Sequence, residues 1–470
     1  MKNLSSMAII GIFLLIFSAL AGGKYISAFP TIPKPKERDV NIDTDPVTDT
    51  VTWDIKLSHP YVEKGSLRDM FLNLRIKGKE AELKERTPVN LVLVIDRSGS
   101  MGDRGKIEYA REAAKQIIAG LNKEDRLAVV AYSTDVELLF PIQPLTDKDR
   151  AASVVSALYP TDSTNLSGGL VKGIEQLDSV KRDGYVNRVI LLSDGLANEG
   201  VTDVGELGRI ASRASEKGIH VTTMGLGVDY DENLMMSIAE HGAGNYYFIE
   251  SPTQLSGIFR KEFGQIAATV AKDPVIRIGF APGVTLEEVY GYMWTRTPDG
   301  VAEIKLGDFF GGQERDILVK LKVPAGKEGQ NDLGKAALEF KDLLNNESPS
   351  GLVTPLSYEV TDDADKVARN ENKDVSARWI SVDASGVYYQ ATTAYESGDR
   401  QGALSKLKSA YDSIANLNMS PYKSARTVEQ EAELRDAIDS ISGPAAPAPM
   451  SDEGKKIIKQ QKANAREAQK

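Results

Sequence analysis

The chain has 470 residues, of which 41% are hydrophobic, and this length and content are sufficient for about three packed units. Its 67 acidic and 57 basic residues leave a formal net charge of -10, a balance that gives no sign of the basic face needed to bind nucleic acid. Cysteine is absent, which excludes disulfides, thiol catalysis and cysteine-ligated zinc and fits an exported bacterial protein.

Residues 1–23 have the pattern of an export signal. Lys2 supplies a positive charge, the run from Met7 to Ala21 is uncharged, and Ala19-Leu20-Ala21 matches a small-residue cleavage pattern. The segment predicts either a cleaved signal peptide or, extended by Gly22 and Gly23, an N-terminal membrane anchor. We therefore expect an exported chain, located in the periplasm, at the cell surface or outside the cell, that contacts the membrane only through this segment.

Strand-like alternation of apolar and polar residues occurs in two separated parts of the chain. A Pro-rich linker over residues 24–45 precedes the first part, residues 46–87, and the second part is residues 273–361. Alternating apolar positions in the two parts are Val51, Trp53, Ile55, Leu57, Ile317, Val319, Leu321 and Val323. Because two strands cannot form a core alone, we predict one β-sandwich shared by both parts, with two separate β pieces as the alternative.

Residues 88–272, which interrupt this predicted sandwich, alternate between strands and helices. The pattern predicts a doubly wound, mostly parallel α/β sheet. Its predicted elements after the first strand and helix are Arg126–Tyr132, Val136–Ile142, Asp147–Leu158, Leu166–Leu177, Val189–Ser193, Val204–Lys217, His220–Gly225, Asp231–Glu240, Tyr246–Ile249 and a last helix over Pro252–Ala271.

The C-terminal part of the chain changes to helical spacing. Residues 365–442 predict two antiparallel helices that meet at Gly398-Asp399, followed by a helix over Arg426–Ile441. Residues 443–470 are rich in Pro and Ala and then in charge, so we predict a flexible tail.

The stretch Asp96-Arg97-Ser98-Gly99-Ser100 lies between a predicted strand, Leu91–Ile95, and a predicted helix. Ligands bind at the carboxyl ends of strands in open parallel sheets, and one carboxylate with two hydroxyls suits a small hard cation. Further oxygen donors follow another apolar strand, at Ser193-Asp194-Gly195, and precede a helix, at Asp162-Ser163-Thr164-Asn165.

Together these motifs resemble a von Willebrand factor type A domain of an exported bacterial protein, over about Val89 to Lys272. The resemblance implies a metal-ion-dependent adhesion site for Mg²⁺, or else Mn²⁺ or Ca²⁺, formed by Asp96, Ser98, Ser100, Thr164 and Asp194. It also implies a non-enzymatic module that recognises a Glu or Asp carboxylate of a partner protein. Ser163 departs from the Gly that the family often has before its Thr.

The sequence supports catalytic alternatives less well. The segment Gly99 to Lys106 is not a phosphate-binding loop, because five residues separate Gly99 from Gly105 and Ile107 replaces the Ser or Thr that would hold Mg²⁺. A metal-dependent hydrolase would need a base beside the cation, for which the nearby loops offer Asp103 and Glu199. An envelope assembly factor is a third alternative, based on resemblance alone.

Overall fold

The computed structural model describes residues 49–80, 87–180, 184–194, 197–227, 230–249, 257, 258, 262, 264, 266, 268–444 and 446–469. The predicted export segment, the linker, Gly195 and most of the predicted helix before residue 268 lie outside these ranges. Within them, every helix is too short or too polar to cross a bilayer.

Residues 87–249 contain a six-stranded sheet that we call the α/β unit. Its strands follow the order β6-β5-β4-β7-β8-β9, and all neighbours are parallel except β5 and β6. The strands are β4 (Val89–Asp96), β5 (Arg126–Tyr132), β6 (Val136–Pro144), β7 (Val186–Ser193), β8 (Ile219–Leu226) and β9 (Ala243–Ile249).

Helices cover both faces of this sheet, so the central strands are buried on both sides. A short 3₁₀ segment, Gly99–Gly105, follows β4, and the α-helices are α1 (Lys106–Gly120), α2 (Lys148–Ser156), α3 (Leu166–Asp178), α4 (Val204–Glu216) and α5 (Glu232–His241). One core contains apolar residues of α1 and α2, and the other contains those of α3, α4 and α5. Burial on both faces explains why β4 and β7 are continuous apolar runs in the sequence.

Strands from both sides of the α/β unit form a sandwich of two sheets. The first sheet has the order β1-β3-β15-β11, and the second has β12-β13-β10-β16-β17-β2 with β14 beside β10. The strands are β1 (Val51–Leu57), β2 (Tyr61–Glu63), β3 (Leu67–Gly78), β10 (Thr269–Phe280), β11 (Thr285–Val289), β12 (Trp294–Arg296), β13 (Ala302–Lys305), β14 (Phe309–Phe310), β15 (Glu314–Pro324), β16 (Gly329–Asp342) and β17 (Ser348–Thr361).

The two halves of the sandwich are joined directly through β3 and β15. These strands pair antiparallel over their length, from Leu67 opposite Pro324 to Lys77 opposite Glu314. The two sheets enclose one core, in which Leu72 and Leu74 of β3 pack with Ile317 of β15. The predicted fold class, an α/β sheet inserted in a β-sandwich, is therefore confirmed.

The predicted helix Pro252–Ala271 is wrong at its C-terminal end, because strand β10 begins at Thr269. Ala271 pairs with both Phe309 of β14 and Asp342 of β16. Thr269 and Val270 are β-branched residues that favour a pleated strand, and the sheet offers them partners on both sides. Helical spacing in the sequence did not reveal this change, which depends on strands that lie far along the chain.

The C-terminal region is helical, as predicted, but its last segment is not a flexible tail. The helices are α6 (Ala364–Arg369), α7 (Lys373–Glu396), α8 (Arg400–Asn418), α9 (Ala425–Ser442) and α10 (Asp452–Gln469). Ile458 and Ala465 of α10 are buried in the same core as α7, α8 and α9. The polar composition and surplus of lysine predict a flexible tail, but two lysines of α10 form ion pairs with one acid of the α/β unit.

Candidate metal site and comparisons with known proteins

Asp96 and Asp194 lie at the carboxyl edge of the parallel sheet. β4 and β7 are neighbours, and their register places Ile95 beside Leu192. Asp96 ends β4, and Asp194 follows the last residue of β7. Both acids are 0% exposed, so the fold brings two carboxylates together in a dry environment.

Hydrogen-bond donors surround the Asp96 carboxylate. Its Oδ1 accepts from the backbone N–H of Ser98 at 2.8 Å, and its Oδ2 accepts from the hydroxyls of Ser193 at 2.6 Å and Tyr132 at 3.3 Å. Burial, together with the charge of Asp194, nevertheless raises the pKa of Asp96 to about 6. The two acids are thus close enough to repel each other, and a cation between them would relieve that repulsion.

Lys106, the first residue of α1, provides a positive charge at this place. Its Nζ lies 2.9 Å from Oδ2 of Asp194, and the two side chains are 4% and 0% exposed. Oδ1 of Asp194 is buried and has no hydrogen-bond partner among the described residues. Sequence analysis missed Lys106, although its position directly after the glycine-rich loop was a signal that its side chain lies near the strand ends.

The predicted hydroxyl ligands occupy adjoining loops. Ser98 is buried, Ser100 is half-buried, and their Oγ atoms are 3.1 Å apart. Thr164 is buried on a loop that is tied to the Asp96 loop by two backbone hydrogen bonds, from Thr161 N to Arg97 O at 2.7 Å and from Gly99 N to Asp162 O at 2.8 Å. All five predicted ligands therefore lie at one edge of the sheet. That they bind a metal stays a prediction.

These residues fit a small hard divalent cation. Two carboxylates and neutral hydroxyls are the donor types that Mg²⁺ accepts, and the unpartnered Oδ1 of Asp194 is a buried acceptor without a donor. The ammonium of Lys106 satisfies only the other oxygen. A divalent cation would supply the charge that both acids require.

A second cluster of possible metal ligands lies at the opposite end of the sheet and consists of His220, Asp273 and Asp308. Its candidate ligand atoms are all within 4.8 Å of one another. Two cations already contact it: Arg188 lies 3.7 Å from Asp308, and Lys341 lies 3.0 Å from Asp273. Burial alone would raise the pKa of Asp308, but the charges of His220 and Arg188 hold it well below its usual range. This group is best described as an ion-pair network that joins the α/β unit to the sandwich.

The family model described as von Willebrand factor type A domain matches residues 90–261. These residues form a von Willebrand factor type A domain. Such A domains are typically protein-interaction or adhesion modules. Asp96, Ser98, Ser100, Thr164 and Asp194 all lie within the matched residues.

The chain is similar to several known proteins over different shares of its length. It is 26% identical over 355 residues to an uncharacterized protein of Synechocystis, covering 72% of this chain and 81% of that protein. It is 30% identical over 223 residues to the uncharacterized protein YfbK of Escherichia coli, covering 47% of this chain but only 39% of YfbK. A solved structure, the von Willebrand factor type A protein from Catenulispora acidiphila, aligns with a TM-score of 0.68 at 19% identity, covering 88% of this chain and 96% of that one. The similarity in fold therefore extends beyond the A domain.

Proposed function

We propose that the protein is an exported, non-enzymatic interaction or adhesion module that binds a Glu or Asp carboxylate of a partner protein through a divalent cation. In this proposal Asp96, Ser98, Ser100, Thr164 and Asp194 hold the cation, with Mg²⁺ as the expected ion. The observation that carries it is the buried pair Asp96 and Asp194, in which one carboxylate oxygen of Asp194 has no partner among the described residues.

The charges of this site favour binding over catalysis. Two carboxylates balance the charge of a divalent cation, and the hydroxyls add only neutral donors. When bound, the cation would supply a coordination position for a further carboxylate oxygen. Residues of this chain would fix the position of the cation by orienting Asp96. The hydroxyls of Ser193 and Tyr132 and the backbone N–H of Ser98 all donate hydrogen bonds to the carboxylate of Asp96.

Magnesium should stabilise the wild-type protein but not an Asp96→Ala variant. A ligand that binds only the native state at a hundredfold excess over its Kd adds about 2.7 kcal/mol to the free energy of unfolding, so EDTA should lower the melting temperature of the wild type. Asp96→Ala removes one of the two carboxylates, and this shift should disappear. Thermal unfolding in Mg²⁺ and in EDTA measures the effect.

Asp103→Ala is the matched control, because Asp103 is an exposed acid on the segment that follows the same loop. It should respond to Mg²⁺ as the wild type does. Calorimetric titration that gives the same Mg²⁺ affinity for wild type and Asp96→Ala would contradict the site. Metal-dependent hydrolysis of a small ester or phosphate by the wild type would instead favour the hydrolase alternative.

Export is proposed from the N-terminal sequence. The positive charge of Lys2, the uncharged run that follows and the Ala19-Leu20-Ala21 pattern predict that the mature chain lies outside the cytoplasmic membrane. Cell fractionation of the full chain should place it in the envelope or the medium. A variant with Asp in place of Leu14 and Leu15 should remain in the cytosol. Recovery of the wild type, uncleaved, from the cytosol would contradict export.

A further inference from the structure

A cavity of about 740 Å³ lies where the A domain, the sandwich and the C-terminal helices meet. Its wall includes Arg188 of β7, Arg315 of β15, Arg426 of α9 and Arg466 of α10. Arg188 stands near the start of β7 and Asp194 follows its end, so the cavity and the candidate metal site are separated by roughly 20 Å along the strand. The two sites are distinct.

Among the described residues, two arginines of this wall hydrogen-bond to neutral acceptors. Arg315 donates to the backbone carbonyls of Gly307 and Asp308, both at 2.8 Å, and to the side-chain amide oxygen of Gln313 at 3.2 Å. Arg426 donates to the backbone carbonyl of Glu467 at 2.6 Å. These hydrogen-bond acceptors are all neutral. Nearby carboxylates, Asp308 for Arg315 and Asp316 with Glu467 for Arg426, offset part of the two guanidinium charges through electrostatic attraction.

Two other guanidiniums have an unused N–H. The Nε atoms of Arg188 and Arg466 are buried and have no hydrogen-bond partner among the described residues. Arg188 reaches Asp308 only at 3.7 Å, and Arg466 reaches Glu240 only at 3.7 Å. A buried donor without an acceptor costs about 1–3 kcal/mol, so an additional acceptor in the cavity would be favourable.

Of the five acids in the wall, Glu240 lies beside Arg466 and Glu467 lies near Arg426, and the other three are held by other groups. Glu262 accepts hydrogen bonds from Thr222 at 2.7 Å, Asn245 at 2.8 Å and Tyr247 at 2.7 Å. Oδ2 of Asp308 lies 3.2 Å from Nδ1 of His220. Glu314 lies 3.2 Å from Arg75, outside the set of cavity arginines.

The pKa values of the buried arginines show that several guanidiniums lie near one another. Burial lowers the pKa of Arg315 and of Arg426. Burial and the nearby charge of Arg426 lower the pKa of Arg378 to about 10. Burial raises the pKa of Tyr292, in the cavity wall, although Arg315, Arg378 and Arg426 oppose this rise with their charges. Tyr292 thus lies near three guanidiniums, with the carboxylate of Asp316 also nearby.

We propose that this cavity binds a small organic anion, a carboxylate or phosphate carried on an apolar body. The arginines would pair with the anionic group, since guanidinium matches carboxylate and phosphate oxygens in bidentate geometry. The apolar part of the wall, which includes Met236, Tyr246, Ile266 and Phe310, would contact the body of the ligand. The volume lies within the range of ligand pockets, about 300–1,000 Å³.

The test uses thermal unfolding of the full chain with phenyl phosphate and phthalate as probes, with inorganic phosphate for comparison and chloride to keep ionic strength constant. We expect a saturable rise in melting temperature with at least one aromatic probe, larger than the rise with inorganic phosphate. The more effective probe distinguishes a phosphate ligand from a carboxylate ligand. The absence of any rise beyond the chloride control would overturn the proposal.

Two variants locate the effect in the cavity. Arg315→Gln removes a guanidinium charge, and Gly257→Phe fills space at the wall without changing charge. Gly257 is helical, and a Cβ added there meets no atom of the described residues within 4 Å, so this variant should fold even if Arg315→Gln does not. Each folded variant should lose at least tenfold in probe affinity, whereas Arg209→Gln, at an exposed position of α4, should not. Unchanged affinity in Gly257→Phe would overturn the proposal, and Asp96→Ala should retain probe binding whatever its response to Mg²⁺.

Discussion

Replacing Lys106 with Met should lower the free energy of unfolding of the metal-free protein by about 3 kcal/mol, because a buried charge loses its partner. The Nζ of Lys106 lies 2.9 Å from Asp194, and both side chains are almost completely buried. Without the ammonium, Asp194 faces Asp96 with no cation between them. One acid must then remain charged and unpaired or take up a proton, and both outcomes destabilise the native state.

Saturating Mg²⁺ should reverse most of this loss if the proposed site is correct. The divalent charge would replace the ammonium, and Lys106→Met should bind Mg²⁺ more tightly than the wild type because no ammonium competes for Asp194. Urea unfolding in EDTA and in Mg²⁺ measures both effects, with Lys123→Met as the control because that side chain is 85% exposed. Equal destabilisation in the two buffers would show that Lys106 is a structural partner of Asp194 and does not compete with a cation.

Replacing Glu232 with Gln should release α10 from the A domain. Glu232 lies in the first turn of α5. Its carboxylate oxygens lie 2.7 Å from Nζ of Lys459 and 2.6 Å from Nζ of Lys462. Lys459 also donates to the carbonyl of Tyr230 at 2.6 Å. The three charged side chains are at most 10% exposed, so the loss of the one carboxylate that both lysines share should cost about 3 kcal/mol.

The contact between Glu232 and the two lysines should make the docking of α10 on the A domain depend on pH. Burial would raise the pKa of Glu232, but the charges and hydrogen bonds of Lys459 and Lys462 outweigh it and lower the pKa to about 2. A carboxyl with a lowered native-state pKa contributes stability that is fully present above its unfolded value, about 4.5, and is lost as the pH falls towards 2. Docking of α10 should therefore weaken in this acidic window.

Hydrogen exchange over residues 452–469 measures this docking. Exchange should rise in Glu232→Gln at neutral pH and in the wild type below about pH 4.5, and the variant should lose the wild-type pH step. Glu206→Gln is the matched control, since Glu206 also lies in the first turn of a helix but forms only an exposed pair with Arg209. Unchanged protection of α10 in Glu232→Gln would show that apolar packing alone holds this helix.

The strands and helices of the A domain were predictable because their signals are local. β4 is a continuous apolar run that ends at Asp96, and α1 repeats apolar residues at helical spacing. The family motifs then grouped Asp96, Ser98, Ser100, Thr164 and Asp194 as one set. The structure places these residues at one sheet edge, but metal binding by them stays a prediction that the experiments with Asp96→Ala and Lys106→Met address.

Signals that depend on distant partners were missed. The local sequence predicts a helix at Thr269, because the pairing of this residue with Phe310 depends on a strand about 40 residues further along the chain. The polar composition after residue 443 predicts a flexible tail, whereas in the structure Glu232 forms ion pairs with two of its lysines. The arginines of the cavity come from strands and helices that are far apart in the chain, and no motif connects them.

The sequence by itself determined the α/β sheet, the strands that precede and follow it in the chain, and the sheet edge where the acidic motifs meet. These features depend on apolar periodicity and on polar residues at strand ends, which are local in the sequence. Tertiary structure alone decided which charges become partners. Lys106 against Asp194, Lys459 against Glu232 and the grouping of Arg188 with Arg315 each depend on burial and on distances between separate elements. The strength of a charge interaction depends on the solvent around it, and only the folded chain excludes that solvent.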